Sequence, residues 1–327
     1  MRSGGAAGNR GVVTIRPGIR DLLWMTAGAA TLLVVTLTAL HFRDDQTPAQ
    51  QLEFKSQRID VVEGMRAALA AASEDEKSAV LALADQASQT YADQARAATA
   101  QVESGRSELA ELLKAGGTAE EKDLLDRFSK AFTEFQRVDA ELLPLAVKNS
   151  NLKAYGLAFG PAAQALEQMA TAVSRLVAKS ATWPDARNVA VFALDAETAA
   201  ERIQAMLAPH IAEESDEKMD ELEAVMTQAD RQVHEDLDRL VAIDDLRRDP
   251  DLQSAASSYA RFNEIRAQIL ALSRENTNIR SAALSLGQKR KVTAFCRSAL
   301  DALHQAIVAE PVPGMDYGRF GRPVKLD

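Results

Sequence analysis

A single cysteine, Cys296, leaves no way to form a disulfide within this chain, and covalent haem attachment, which needs Cys-x-x-Cys-His, is excluded. Aromatic residues make up only 5% of the chain and the formal net charge is −9, so the stacking platforms and basic stripes of a nucleic-acid binder are both missing. Among 327 residues there are 16 glycines and 10 prolines, and long stretches carry neither, which removes the turn signals a β-rich chain requires. Val12 to Ile15 is the one strand-like fragment, and Pro17 ends it. Motifs of nucleophilic and nucleotide chemistry are absent too: there is no Gly-x-Ser-x-Gly, no P-loop and no dinucleotide fingerprint. What remains is rich in alanine and leucine, and the expectation is an all-α protein that is not an enzyme.

The longest apolar run is Leu22 to Phe42, 21 residues without Asp, Glu, Lys or Arg. As a helix it is about the length needed to cross a bilayer. Arg2, Arg10, Arg16 and Arg20 precede it, and Asp21 is the first acid. That bias places the N-terminus inside. A cleaved signal peptide is the competing reading, but Ala-Leu-His-Phe makes a poor cleavage site, so an uncleaved anchor is expected. The expected organisation is a cytoplasmic tail at 1–19, a transmembrane anchor at 20–42, helical bundles at 47–182 and 183–308, and a disordered tail at 309–327. The expected location is the cell inner membrane, single-pass, with the bulk of the chain periplasmic.

Past the anchor the apolar residues recur three or four apart. Val62, Met65, Leu69, Val80, Leu83, Ala87, Tyr91 and Ala95 mark one face, with a turn expected near 72–76. Gly116-Gly117 stops that segment, and Thr118 with Glu121 forms a capping box for a helix reaching about 158. Gly160-Pro161 and Gly287 read as further breaks, and Trp183-Pro184-Asp185 as a junction or a bend. Leu222, Met226, Ala229, Val233, Leu237 and Leu240 form a heptad-like run. Arg247 to Asp251 makes a turn before a helix over Leu252–Leu286.

The chain is internally duplicated. Residues 142–160, LLPLAVKNSNLKAYGLAFG, align without a gap on residues 269–287, ILALSRENTNIRSAALSLG, an offset of 127. Phe135 and Phe262, Val138 and Ile265, Met169 and Cys296, and Val173 and Leu300 keep that offset. Glu76-Lys77 resembles Glu217-Lys218 at a different one, which makes the first unit longer there. Each unit supplies about four helices, enough to close a core, so the expected fold is two consecutive four-helix bundles of long antiparallel helices, or one elongated bundle.

Both copies hold a pair of asparagines, Asn149 with Asn151 and Asn276 with Asn278, each followed by a base, Lys153 or Arg280. Asparagine is a poor helix former. Two readings follow: the asparagines hydrogen-bond across the bundle and fix its register, or all six residues line a small anionic-ligand pocket. His210 lies near Glu213 and Glu214, but no metal-binding spacing surrounds it, and a solvated or capping role is expected. Haem would need an axial pair; Met206 and His210 share one helix, and nothing in the pattern supports Met65 or Met169 with His304. Neither metal nor cofactor is expected, and Cys296 reads as a small core hydrophobe.

The anchor, the long helix from Gln50 and the unit spanning residues 116–173 together resemble the extracytoplasmic four-helix-bundle sensor region of methyl-accepting chemotaxis receptors and related sensor kinases. The likeness covers roughly residues 20–180 and, more weakly, 200–308, and it rests on periodicity and turns. It implies detection of a small ligand or a ligand-carrying partner outside the cell. The chain departs from that pattern in having no second spanning segment and no methylated cytoplasmic hairpin. The alternative is a membrane-tethered scaffold that self-associates or docks on a separate receptor. Either suits a parallel homodimer, with Thr26 to Ala30 as a small-residue contact face in the membrane.

Overall fold

The computed structural model describes residues 47–312. The anchor at 20–42, the tail at 1–19 and most of the C-terminal tail lie outside them. No described helix is long and apolar enough to cross a membrane. Among the described residues there are helices and turns but no strands.

The helices are α1 (Pro48–Leu81), α2 (Asp85–Gly116), α3 (Ala119–Lys148), α4 (Ser150–Leu157), α5 (Ala163–Ser180), α6 (Ala186–Ala212), α7 (Asp216–Val241), α8 (Pro250–Glu275), α9 (Thr277–Leu284) and α10 (Arg290–Ala309). Their ends follow local chemistry. Thr118 Oγ1 accepts from Glu121 N–H at 3.2 Å while the Glu121 carboxylate accepts from Thr118 N–H at 2.8 Å, the expected capping box. Asp249 caps α8 through the N–H groups of Asp251 and Leu252, with Pro250 opening the helix.

Local expectations are corrected at five places. Helix α1 runs through 72–76 without turning and stops at Leu81. Gly160-Pro161 and Gly287 do not break the chain; Ala158–Ala162 and Ser285–Lys289 are wound as π-helical segments that join α4 to α5 and α9 to α10. A wider turn accommodates Pro161, which has no N–H to give. The helices expected to pass through 149 and 276 are instead broken there. Asn149 (φ 50°) and Asn276 (φ 52°) adopt the left-handed conformation, which asparagine tolerates better than other side chains with a Cβ.

Those two breaks decide the topology. After Asn149 the chain does not fold back on α3; α4 and α5 pack along α8 of the second repeat. After Asn276, α9 and α10 return to pack along α3 of the first. Bundle 1 is therefore α1, α2, α3 and α10, with a core of Met65, Leu69, Val102, Leu109, Phe128, Phe132, Phe135, Cys296, Leu300 and Leu303. Bundle 2 is α4–α5, α6, α7 and α8, built on Met169, Val173, Leu176, Ile203, Leu207, Val233, Tyr259, Phe262 and Ile269. The cores do not divide at 182/183 as expected: each repeat gives its last helical rod to the other. A hairpin would need several residues to reverse the chain, and one left-handed residue only redirects it.

The register of 127 that aligns Ser150 with Thr277 carries through all four helices. Buried Val62, Leu69, Ala72 and Ser73 correspond to buried Val189, Ala196, Ala199 and Ala200, and Ala92, Val102 and Leu113 to Met219, Ala229 and Leu240. The first unit is not longer in its core, so Glu76 stands opposite Ile203 rather than Glu217. Leu83 and Tyr91, expected on an apolar face, are exposed, as are Val191 and Leu194. Leu83 lies between α1 and α2, Tyr91 and Leu194 sit one position from buried Ala92 and Ala193, and Val191 sits two from Val189 and Ala193.

Candidate functional site

Where the chain crosses between bundles, two helices begin side by side with unsatisfied N–H groups. Each is capped by the other. Ser150 N–H donates to Thr277 Oγ1 at 3.0 Å and Thr277 N–H to Ser150 Oγ at 3.1 Å. Asn151 N–H donates to Asn278 Oδ1 and Asn278 N–H to Asn151 Oδ1, both at 3.1 Å. The side-chain amides close the ring: Asn278 Nδ2 donates to Asn149 Oδ1 and Asn151 Nδ2 to Asn276 Oδ1, both at 2.8 Å. Asn149 also donates to Asp85 at the start of α2, and Asn276 to the Glu213 carbonyl between α6 and α7.

The four expected asparagines thus meet, and their amide groups are taken up by one another and by the neighbouring backbone. The two bases fall outside. Lys153 is exposed and pairs with Asp85 at 2.9 Å, and Arg280 is exposed. The four asparagines lock the register, and the two bases are turned to the surface.

His210 differs from expectation. It is fully buried, with Nδ1 2.8 Å from Ser273 Oγ and Nε2 2.9 Å from Glu223 Oε1. The set of groups is that of a nucleophile, a base and an acid, but the carboxylate faces Nε2, the serine faces Nδ1, and Ser273 has no accessible surface. Burial pushes the Glu223 carboxyl up, but bonds from Arg274 and His210 hold it below its usual range. The network ties α6, α7 and α8 together at the crossover. His304 lies 3.0 Å from Glu63, and His234 3.8 Å from Asp230.

The most unusual chemistry was not among the expected residues. Lys289 ends the second π-segment and is 1% exposed inside bundle 1. Its ammonium pairs with Asp139 of α3 and sits 3.0 Å from the centroid of the Phe135 ring. Glu76 of α1, also 1% exposed, completes the group. Neither of its oxygens accepts a hydrogen bond of normal geometry; the Ser285 hydroxyl only eases its charge. Burial raises the pKa of both carboxyls and lowers that of Lys289, while their mutual attraction opposes each shift. Beside them burial pushes the Cys296 thiol up to about 12, so it is inert as a nucleophile at neutral pH.

A cleft of about 560 Å³ opens over this triad between α1 and the α9–α10 rod. Glu76, Lys289, Ser73 and Ser285 form its floor, and Lys77, Arg290 and Arg297 stand exposed around it. Asp301 at its edge is held by Arg66 at 2.9 Å. Bundle 2 has the matching cleft, about 370 Å³, between α5 and α6. In register, Lys77, Arg290 and Arg297 are replaced there by Gln204, Ala163 and Ala170, and the charged lining is Glu167, Glu197 and Glu201. Burial, and then the neighbouring Glu201, raise the pKa of Glu197.

A sequence signal for this site existed. Extending the register of 127 puts Lys289 opposite Ala162 and Asp139 opposite Arg266, charge changes at buried or half-buried positions of otherwise matching helices. Comparison with protein-family models, curated proteins and solved structures finds no match for this chain.

Proposed function

We propose that this chain is a non-catalytic, membrane-tethered helical receptor module, anchored through residues 22–42 with its bundles on the periplasmic side, that takes a small ligand into the cleft of bundle 1. One observation carries the reading. Two bundles share one architecture, and only one of them buries a lysine and two carboxyls beneath an open polar cleft. Such a set is expensive to desolvate and does not generally stabilise a core against an apolar replacement. A ligand site is a reason to keep it. The likeness to extracytoplasmic sensor bundles points the same way. The cleft lies between α1, which follows the anchor in sequence, and the last helix, so a ligand there would bear on the segment nearest the membrane.

A second reading is favoured by apolar side chains left in solvent. Leu81, Leu83 and Leu286 are 76%, 83% and 71% exposed, and they suit association with another chain. In that reading the protein is a scaffold and a homodimer.

Thermal unfolding of the full chain in detergent, against a panel of amino acids, organic acids, inorganic ions and metals, tests the choice. A reproducible rise in melting temperature with one compound is expected for the receptor. Unchanged melting throughout, with a stable dimer by mass, would leave the scaffold.

A further inference from the structure

We propose that the cleft of bundle 1 binds a small dianion, an inorganic oxyanion or a short dicarboxylate, through Lys77, Arg290 and Arg297. The proposal rests on the receptor reading and names its ligand class. Three exposed cations converge on one cleft in a chain whose net charge is −9, and among the described residues none of the three has an ion-pair partner. The acids nearby are already engaged or set back: Asp301 by Arg66, Asp139 by Lys289, and Glu76 beneath the surface. Ser298 lines the same cleft, and a serine hydroxyl can donate to oxyanions. Arginine in particular meets phosphate-like and carboxylate oxygens in pairs. The twin cleft is an internal control, since the same positions there carry no cation and three glutamates surround it.

Glu76 sets how the site responds to pH. The charged groups facing it are Lys77 on its own helix, Lys289 from the π-segment and Asp139 from α3. A proton on Glu76 removes the one negative charge beneath the three cations that has no ion-pair partner. Dianion affinity therefore rises as pH falls through the pKa of Glu76, which burial holds above its ordinary value.

The test is titration calorimetry of the full chain in detergent at low salt, with sulfate and succinate as separate probes and putrescine as the opposite charge. At least one dianion is expected to bind one-to-one, and Arg290→Gln and Arg297→Gln should each weaken it about fivefold or more. Both arginines are exposed, so neither variant threatens folding. Glu201→Gln in the twin cleft should change nothing. Sulfate keeps its charge across the pH range, so its affinity should rise toward acid pH in the wild type and stay flat in Glu76→Gln. Sulfate binding alone would mark an oxyanion site, and succinate alone a dicarboxylate site. Failure of both dianions, binding unaltered by the arginine variants, or preference for putrescine overturns the proposal. If another compound still raises the melting temperature, and Ala294→Trp in the cleft abolishes that rise, the receptor reading stands and only the ligand class fails. If no compound does, both fall.

Discussion

Bundle 2 answers the question of what this fold needs, and bundle 1 shows what was added. At matching positions bundle 2 has Ile203 and Ala162 where bundle 1 has Glu76 and Lys289, and both cores close around four helices. The charged set is therefore not a requirement of the architecture. The counterpart of Asp139 is Arg266, which reaches Asp230 at 3.4 Å with both side chains partly exposed. Duplication leaves one copy free to carry groups that a lone bundle would carry only at the expense of its own stability.

The largest expected effect comes from breaking the triad one residue at a time. Lys289→Ala leaves two carboxyls buried without their cation and should lower stability by about 3–5 kcal/mol in denaturant unfolding. Replacing the set together, with Glu76→Ile, Asp139→Leu and Lys289→Met, should restore most of that loss or exceed the wild type. If the triple variant is as weak as Lys289→Ala, the comparison between bundles has been misread. The reverse experiment, Ile203→Glu, puts a lone acid into bundle 2 and should be about as damaging as Lys289→Ala.

The crossover comes next. Asn151→Ala removes bonds to the Ile211 carbonyl, to Asn276 and to Asn278 N–H, and should cost about 2–3 kcal/mol. A double-mutant cycle with Asn278→Ala should give a coupling of at least about 0.5 kcal/mol, since each asparagine caps the other's helix. Additive losses would mean that the two caps act independently.

Glu76 supplies a smaller effect with a definite sign. Its folded pKa is raised above the ordinary 4.5, so the folded chain takes up this proton before the unfolded chain does. The associated stability is present at acid pH and is lost as pH rises through the folded value. Glu76→Gln cannot ionise. Its stability advantage over the wild type should be largest at neutral pH and should vanish below about 4.5. Smallest of all, Thr118→Ala should cost about 1 kcal/mol through the lost cap of α3.

The sequence carried the helices well, because apolar residues at three-to-four spacing and the Thr118–Glu121 and Asp249-Pro250 signals are local. It also carried the repeat. The exchange of rods was not legible, because a helix interrupted by one left-handed asparagine and a helix that passes through asparagine look alike in composition. Nor were the π-segments, since Gly160-Pro161 signals a break whether or not a wider turn absorbs it. The triad was hidden for a different reason. Lys289 and Glu76 lie on faces that charge alone assigns to solvent, and only their buried counterparts in the other repeat reveal that the face turns inward. His210 escaped in the same way: its partners Ser273 and Glu223 arrive from two other helices.

The exchange of rods also imposes an order of events during synthesis. All four helices of bundle 2 lie in one uninterrupted stretch, 150–275, whereas bundle 1 must wait for α10, whose neighbour Gln288 meets Glu134 across 154 residues of chain. As the chain emerges, α1, α2 and α3 are complete first but have an open side, with Phe128, Phe132 and Phe135 facing no fourth helix. The second bundle closes before the first, and the cleft over Lys289, which needs α10, forms after it.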